Sequence, residues 1–582
     1  MGGRKRFFFE KKNQKTFAPP PGPAAVGLAC LLFALRVQAQ EAAPAPPPPT
    51  DTVLPRSGVD PTLSDLREHL LNAYGDTQPA PRGVSAPNLQ ITGELGISEE
   101  FTSNAGLAAG GRVRGSDFIT AIQPGITVID TSQRLQVNAT YRPISEIYAE
   151  NSDFSQFEQQ GNGSITFTAL PGWLFLDARG AVSQQSVFGG VGPGTTTTLS
   201  PSERETVSSF SASPYVVRQF GGLGTVQAGV SYSYSATDAP SLVNPALTSP
   251  LALALLQSEG LYGSSSLATK RAYANVTSGE NYGRLQDRAG IDASFYTGTG
   301  AQADGRRVLV TDDLSYAVSR FVTALAEAGY ENLNYPRSRF AYAGVVGYGG
   351  ARLTPNQSST LTLEYRYVDG FGSVYAQGSV QATARIRIFG GYSEGISTQD
   401  QDLQNSLLDS TGLATGVGAS ALQAAPLLAG ASAFAGNQNL NRTHRLDLTA
   451  SWVANYDTVT LALHRDTTTE VGRPLYLQPN VRATLNTSGT FGTLSESHAL
   501  TPDLTLDATV EYGSNQSGLA GNSSGETLGV SVGLQKSFPR NLSAYIRAGG
   551  NYFVGGSAIA AAGTRGQSGD QTTLIIGGRK TF

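Results

Sequence analysis

The last twelve residues, QTTLIIGGRKTF (571–582), contain the pattern that decides the fold. Leu574, Ile576 and Phe582 fall on one alternate face, as expected for a β-strand, whose successive side chains point to opposite faces. A membrane strand of this kind predicts further strands upstream, and the last strand should close a barrel against the first one. The rest of the chain tests that prediction residue by residue.

The composition excludes a bundle of membrane helices. Glycine is abundant, at 68 of 582 residues, only 15% of the residues are charged, and the mean hydropathy is −0.16. The longest apolar run, residues 24–35, is shorter than the roughly 20 residues that a spanning helix needs. A closed barrel, in which neighbouring strands satisfy each other's backbone groups, is the remaining way to span a membrane.

Residues 1–39 are predicted to be a signal peptide. Basic residues precede the apolar run, and Val37 and Ala39 place small side chains where a signal peptidase reads them. The single cysteine, Cys30, lies inside that run, so the exported chain would have no disulfide and no thiolate metal site. Without this segment the formal charge is about −10, which offers no basic surface for nucleic acid.

Residues 40–87 are predicted to be a Pro-rich periplasmic spacer with one short helix. Asp60 suits a cap, Pro61 the first helical position and Gly75 a stop, which predicts a helix over 61–74. This helix would serve as a periplasmic docking handle or as a stopper in the barrel mouth. The alternative is a spacer helix lying on the base of the barrel.

From residue 88 onward the period of the sequence changes to two. Apolar and polar residues alternate, which is typical of strands with one face in lipid and one in a polar interior. Tyr141 and Tyr512 stand toward predicted strand ends, where aromatic girdles meet a lipid interface. The clearest alternating stretches are residues 134–142, 225–235, 361–367 and 504–512.

Short connections take turns with longer polar ones. Outer-membrane barrels have short periplasmic turns and longer external loops. We predict an all-β fold, a transmembrane antiparallel up-and-down β-barrel over 88–582 with about 22 strands (range roughly 18–24) and both termini in the periplasm. A soluble sandwich or β-helix is the alternative. The predicted short turns are residues 170–172, 220–222, 354–356, 501–503 and 539–541.

Two connections, 238–270 and 399–443, are too long to be simple loops. Each contains an apolar piece, LALALL (251–256) or QAAPLLAGASAFAG (423–436), that should not face water. We predict that at least one connection folds into or across the lumen as a constriction, with a self-packed external cap as the alternative. Deleting residues 239–269 should then raise the single-channel conductance.

No motif predicts catalysis, a bound cofactor or a metal site. None of the four histidines has companions at a convincing metal-ligand spacing. His464 and Asp466 lie two apart on one face of a predicted strand, which leaves an outer-membrane enzyme open as an interpretation, but no nucleophile can be identified. We therefore expect no enzymatic activity, no cofactor and no bound metal.

Charged residues of both signs fall on the polar face of the alternation. They predict a hydrated lumen with ion-paired walls, although any barrel interior must be polar somewhere. We single out Arg385 and Arg387, because two guanidinium groups on one face would line a path for acidic solutes or polymers. The residues predicted to line the lumen are Arg134, Arg142, Arg179, Glu364, Arg366, Arg385, Arg387, Asp507 and Glu511.

Three stretches resemble a known family: residues 117–143 (with DFITAIQPGITVID and RLQVNATYRP), 170–185 (LPGWLFLDARGAVSQQ) and 360–398. They are similar to uncharacterised outer-membrane β-barrel proteins associated with the PEP-CTERM and exopolysaccharide systems of proteobacteria, near the group called β-barrel porin 2. The resemblance covers about residues 89–398 and continues more weakly to 582. It implies an outer-membrane barrel and a link to exopolysaccharide export or surface assembly, but it supplies no functional residues.

Our first hypothesis is an outer-membrane barrel that acts as a conduit or accessory in exopolysaccharide export. A general diffusion porin for small solutes is the alternative, and a membrane enzyme is a third. A TonB-dependent transporter has a similar strand number but needs a globular plug, for which residues 40–85 are too short and too Pro-rich.

The expected partners are outer-membrane lipid, the barrel-assembly machinery, a polysaccharide or small hydrophilic solute, and a periplasmic export partner. Phe582 is the predicted assembly signal, because a C-terminal aromatic strand resembles the one that this machinery recognises. Lys580 occupies the same face of the strand, and its stem should snorkel to the periplasmic interface.

Overall fold

The computed structural model describes eleven stretches of the chain. The predicted signal peptide, the spacer with its helix 61–74, and both apolar pieces of the long connections lie outside them. The described residues are 89–105, 115–186, 204–238, 264–356, 358–410, 440–471, 475–478, 481–483, 487–517, 523–555 and 567–582.

The described chain is almost entirely β-strand. The first strands are β1 (Leu89–Thr102), β2 (Asp117–Thr131), β3 (Leu135–Tyr141), β4 (Ile144–Tyr148), β5 (Gln156–Glu158), β6 (Gly161–Leu170), β7 (Leu174–Ser186), β8 (Arg204–Gln219), β9 (Gly224–Asp238), β10 (Ser265–Ser278), β11 (Leu285–Gly298), β12 (Arg306–Ala317) and β13 (Val322–Tyr335). The later strands are β14 (Phe340–Asn356), β15 (Ser359–Val368), β16 (Phe371–Thr383), β17 (Ile386–Ser397), β18 (Asn441–Val453), β19 (Asp457–Glu470), β20 (Leu475–Gln478), β21 (Val481–Ala483), β22 (Thr487–Thr501), β23 (Leu504–Ser517), β24 (Ser523–Phe538), β25 (Leu542–Gly555) and β26 (Gln567–Thr581). An α-helix, α1 (Gln399–Ser410), follows β17, and 3-10 turns occupy Ser152–Phe154, Gly221–Leu223 and Glu280–Tyr282.

The strands form a closed antiparallel barrel. β1 pairs with β2 on one side and with β26 on the other, in a register that runs from Glu94 opposite Thr581 to Thr102 opposite Thr573. β3 and β4 follow one another along β2, and β5 and β6 form the next stave, while β20 and β21 make a separate hairpin. The wall therefore has 22 strands, which confirms the predicted fold class.

Short turns gather at one end of the barrel, which we call the inner end, and the long connections lie at the opposite, outer end. Four of the five predicted short turns are confirmed between β6 and β7, β8 and β9, β22 and β23, and β24 and β25. The fifth short connection, predicted at 354–356, lies slightly later, between Asn356 and Ser359, because β14 continues to Asn356 through a register shift after Leu353.

Both long connections are shorter than predicted. β10 begins at Ser265, because its small polar residues continue the pairing with β9, with Ser265 opposite Thr237 and Leu267 opposite Ser235. The connection predicted over 399–443 starts with α1 and ends where β18 begins at Asn441.

The two faces of the strands differ as the alternation predicts. On β9, Val230 and Tyr232 are exposed on the lipid face, while Gln227, Ser235 and Thr237 on the other face are buried. Both predicted girdle residues, Tyr141 and Tyr512, are exposed. Of two further tyrosines toward strand ends, Tyr367 is exposed and Tyr234 is half-buried. The polar face is therefore the lumen side of the wall.

The last strand has the orientation predicted from its sequence. Leu574, Ile576 and Phe582 are exposed on the lipid face. The Phe582 backbone N–H donates to the Gly93 carbonyl at 2.8 Å, next to the seam with β1. The Lys580 ammonium lies 5.8 Å from the centre of the Phe582 ring and donates to the Arg540 carbonyl, so it stays at the inner rim.

Candidate functional site: the outer mouth of the lumen

The helix α1 leaves the barrel wall at the outer mouth, directly after β17. Thr398 is its cap, since its carbonyl accepts from the Asp402 N–H at 3.0 Å and its hydroxyl from the Gln401 N–H at 3.3 Å. Asp400 and Asp402 stand in the first turn, where the helix dipole favours negative charge. A polar, capped helix of this kind suits a polar lumen.

One side of α1 is hydrogen-bonded to the lumen faces of β9 and β10. The Gln404 amide donates to the Leu267 carbonyl at 2.8 Å and to the Ser235 hydroxyl at 3.2 Å, and it accepts from the Thr269 hydroxyl at 2.8 Å. The Ser235 hydroxyl also donates to the Asp400 carbonyl at 2.9 Å. Gln404 is therefore the main anchor of α1 on this wall.

The other contacts of α1 reach the β11–β12 loop and β18. The Thr398 hydroxyl donates to the Gln302 side-chain oxygen at 2.8 Å, and the Gln302 amide donates to Gln401. A guanidinium nitrogen of Arg445 on β18 lies 3.6 Å from an Asp402 carboxylate oxygen. The helix is thus attached to two separate arcs of the wall.

These attachments narrow the mouth. Six strands, β11 to β16, separate β10 from β17, so the wall between them measures about 34 Å along the sheet at about 4.8 Å per strand. The chain from Ser397 to Asp400 can span at most about 11 Å, yet Asp400 accepts from the Ser265 hydroxyl on β10 at 3.2 Å. The wall must therefore curve inward, and α1 bridges the mouth. The apolar pieces of the two long connections lie outside the described residues, so the constriction expected from them stays a prediction.

Buried apolar side chains complete the closure on this side of the mouth. We call Leu267, Tyr296, Leu333, Tyr335 and Leu440 the outer seal, because they form one buried cluster drawn from β10, β11, β13 and the start of β18. The Tyr296 and Tyr335 rings meet edge to face, with their centres 5.6 Å apart. These apolar side chains pack together on the inward face at the outer end of the wall.

A buried ion network lies beside the outer seal. Arg307 on β12 contacts Glu331 on β13 at 2.6 Å and Asp369, in the turn between β15 and β16, at 3.6 Å. The Asp369 N–H also donates to Glu331 at 2.9 Å. Burial raises the pKa of Asp369 to about 7, although the nearby Arg307 charge acts to lower it. The network ties an outer turn into the lumen.

Several predicted lumen residues form ion pairs on the inward face. Arg142 pairs with Glu94, and Arg366 contacts Glu364 at 2.6 Å while its guanidinium lies 3.6 Å from the centre of the Tyr375 ring. Four more of the predicted lumen residues also face inward: Arg179 on β7, Arg387 on β17, and Asp507 and Glu511 on β23.

Arg134, Arg142 and Arg385 are not on strands, contrary to the prediction. Arg134 lies in the turn before β3, Arg142 between β3 and β4, and Arg385 in the turn before β17. The reason at the third site is local, because the Thr383 hydroxyl accepts from the backbone N–H groups of Arg385 and Ile386 and holds the turn. Arg385 and Arg387 therefore do not share a strand face.

His464 and Asp466 lie on the lumen face, and the structure adds Asp447 from β18. The His464 Nδ1 lies 2.5 Å from Asp447 and its Nε2 3.9 Å from Asp466, while its ring stacks on Phe491. Within the described stretches, His, Cys, Asp and Glu side chains form no group of three or more that could hold a metal ion.

Periodicity could not have identified Gln404, Arg307 or Glu331 as functional residues. Gln404 and Leu267 are 137 positions apart, and no local pattern marks such a contact. The only signal for α1 itself is Thr398 followed by Asp400 and Asp402, which is an ordinary helix start.

The geometry defines the class of protein: a large β-barrel of the bacterial outer membrane. In the described part of the chain, α1 is too short and too polar to cross a membrane, and no other helix there meets that requirement.

Comparison with protein-family models finds no match, and comparison with curated proteins finds none. Among solved structures, the chain is similar to a point mutant of the ferric enterobactin receptor PfeA from Pseudomonas aeruginosa, with 9% identity, 85% of this chain and 80% of that chain covered, and a TM-score of 0.40. The FrpB iron transporter from Neisseria meningitidis gives 9% identity, coverage of 84% and 82%, and a TM-score of 0.37. The copper transporter OprC has 10% identity, with 86% of this chain and 81% of that chain covered and a TM-score of 0.38. Likeness at this level carries no argument about the function of this chain.

Proposed function

We propose that the protein is a gated conduit through which a hydrophilic polymer of the exopolysaccharide class crosses the outer membrane. The observation that carries this proposal is the position of α1, which bridges the outer mouth between β10 and β18. A wall of 22 strands is wider than that of a 16- to 18-stranded porin. A wide barrel with a bridged mouth suits regulated passage better than constant leakage.

The inward face supports a hydrated path below the mouth. Charges of both signs are paired along it, as in Arg142 with Glu94 and Arg271 with Asp292. Paired charges keep the wall polar without a strong net field, because each carboxylate is balanced by a guanidinium. A path of this kind tolerates a long hydrophilic chain.

The bonds that hold α1 suit a reversible gate. Most are neutral hydrogen bonds, each contributing about 0.5–1.5 kcal/mol net, and the Arg445–Asp402 contact is long and half-exposed. A helix held in this way can leave the mouth without unfolding the barrel. The constriction is thus strong enough to close the mouth and weak enough to open.

The polymer class rests on the resemblance of residues 117–398 to barrels associated with exopolysaccharide systems. A general diffusion porin for small solutes is the second candidate, and the ion-paired polar lumen favours it equally. The two candidates differ in the expected conductance of the wild-type channel and in whether a deletion strain loses extracellular polysaccharide.

The test combines bilayer recordings of purified protein with a deletion strain assayed for extracellular polysaccharide. Replacing Gln399–Ser410 with a Gly-Ser linker of equal length should raise the conductance, whereas Arg337→Ala, which removes an exposed outer ion pair with Asp304, should leave it unchanged. Polymer lost in the deletion strain together with low wild-type conductance supports the export conduit. Normal polymer with a wide, constantly open wild-type pore would favour the porin and reject the gate.

A further inference from the structure

Lipid-facing cations at the inner end have partners within the chain. The Arg218 guanidinium lies 4.3 Å from the centre of the Trp173 ring, and the Lys536 ammonium lies 3.6 Å from Asp503. Such contacts hold a cation at the membrane edge, where a charge on the lipid face costs little. Arg218 and Lys536 are therefore both paired at the inner end.

Among the described residues, three lipid-facing cations toward the outer end lack such partners, Lys270, Arg306 and Arg465, and the first two lie close together. Lys270 on β10 and Arg306 on β12 are exposed, and in the described stretches neither forms an ion pair or stacks on an aromatic ring. Arg306 is the first residue of its strand, and Lys270 is the sixth. Both therefore lie toward the outer leaflet, not at the inner rim.

The two cations form one row with Phe295 on β11. Phe295 stands opposite Lys270 in the β10–β11 pair and opposite Arg306 in the β11–β12 pair, and half of its surface is exposed. Two strand spacings place the cations about 10 Å apart at their backbones. Their long side chains can converge above the ring, which offers acyl chains an apolar surface.

We infer that Lys270, Phe295 and Arg306 form a binding site for the phosphorylated headgroup of an outer-leaflet lipid. Two unpaired cations complement phosphate oxygens, which guanidinium and ammonium groups bind through charge-assisted hydrogen bonds. The outer-membrane location supplies the lipid, and the exposed ring between the cations suits its chains. The site lies on the outside of the wall, so it does not depend on the proposed gate.

The test is native mass spectrometry of the full barrel in detergent, titrated with lipid A that carries its phosphates. Replacing both residues, Lys270→Gln with Arg306→Gln, should weaken binding about 30-fold, at about 1 kcal/mol for each lost cation. Lipid A stripped of phosphate should bind the wild type as weakly. The matched control, Lys536→Gln, removes a lipid-facing cation at the inner end and should bind like the wild type.

Folding is checked by heat-dependent migration in gels, and the exchange Lys270→Arg with Arg306→Lys should keep the affinity. Equal binding by the double Gln variant, or equal binding of dephosphorylated lipid A, would overturn the lipid site. If inorganic phosphate displaces lipid A at matched concentration, the site recognises a free anion and the inference also fails.

Discussion

The two ends of the barrel are built in different ways. At the inner end, contacts are local: Arg540 and Asn541 adopt positive φ in the turn between β24 and β25, and the Arg320 guanidinium covers the ring of its neighbour Phe321 at 4.5 Å. At the outer end, the decisive contacts join residues far apart in sequence, such as Gln404 and Leu267. Local contacts shape the turns of the inner end, whereas contacts between residues distant in sequence hold α1 across the outer mouth.

The largest expected effect comes from breaking the buried ion network of the outer end. Arg307→Gln leaves Glu331 and Asp369 without their countercharge, which should lower the free energy of unfolding by about 3–5 kcal/mol. Urea unfolding of the barrel in detergent measures this change. The matched control also neutralises the acids, as Arg307→Gln, Glu331→Gln and Asp369→Asn together. If the single variant is no less stable than the triple variant, the network is not what stabilises this end.

Gln404→Ala should release α1 while leaving the barrel folded. It removes three hydrogen bonds to the wall, worth about 2–3 kcal/mol together, so the fraction of open channels should rise more than tenfold. Single-channel recording measures that fraction. Gln381→Ala, at the inner end of β16, is the control and should not change it. An unchanged open fraction in Gln404→Ala would mean that α1 is not a gate.

Phe582→Ala tests whether the inner end acts in assembly and not in conduction. The Phe582 ring faces lipid beside Lys580, and the Phe582 backbone N–H donates to the Gly93 carbonyl next to the seam. Loss of the ring should remove about 1.5 kcal/mol of interfacial burial, or about tenfold in folded yield, with no change in conductance per channel. Heat-dependent gel migration gives the yield. A normal folded yield with altered conductance would mean that Phe582 acts in conduction and not in assembly.

The contrast between the ends also explains how far sequence could predict this structure. Alternation and turn chemistry were sufficient for the 22-strand wall, because each strand carries its own pattern and each inner turn its own residues. Strand boundaries were predicted less accurately. Arg385 was assigned to the strand of Arg387 because the spacing fits the period, but the Thr383 side chain holds a turn there and β17 begins only at Ile386.

The outer mouth could be predicted only in outline. The connection after β17 was expected to fold into the lumen because of its apolar piece, 423–436, which lies outside the described residues. The polar helix Gln399–Ser410 was not predicted. A helix in a polar lumen needs hydrogen-bonding side chains, and its partners on β9 and β10 are brought near only by closure of the whole wall. No short-range pattern encodes that proximity.

The smallest expected effect is the pH dependence of the gate. Asp400, in the first turn of α1, is buried against β9 and β10, and burial raises the pKa of its carboxyl to about 6, although the bond from Ser265 acts to lower it. An undocked helix would expose Asp400 with an ordinary pKa of about 3.9. The docked state therefore holds the proton between about pH 4 and 6, so docking is most stable below about pH 4 and weakens as the pH rises through that window.

The open fraction should accordingly rise between about pH 4 and 6, and Asp400→Asn should reduce the slope. Some slope should remain, because burial also raises the pKa of Asp402, which faces Arg445. Asp503 at the inner end provides the control, since its bond from Thr501 lowers its pKa and Asp503→Asn touches nothing at the mouth. If Asp503→Asn alters the slope as much as Asp400→Asn, the pH response belongs to the barrel as a whole, and the two ends are not independent.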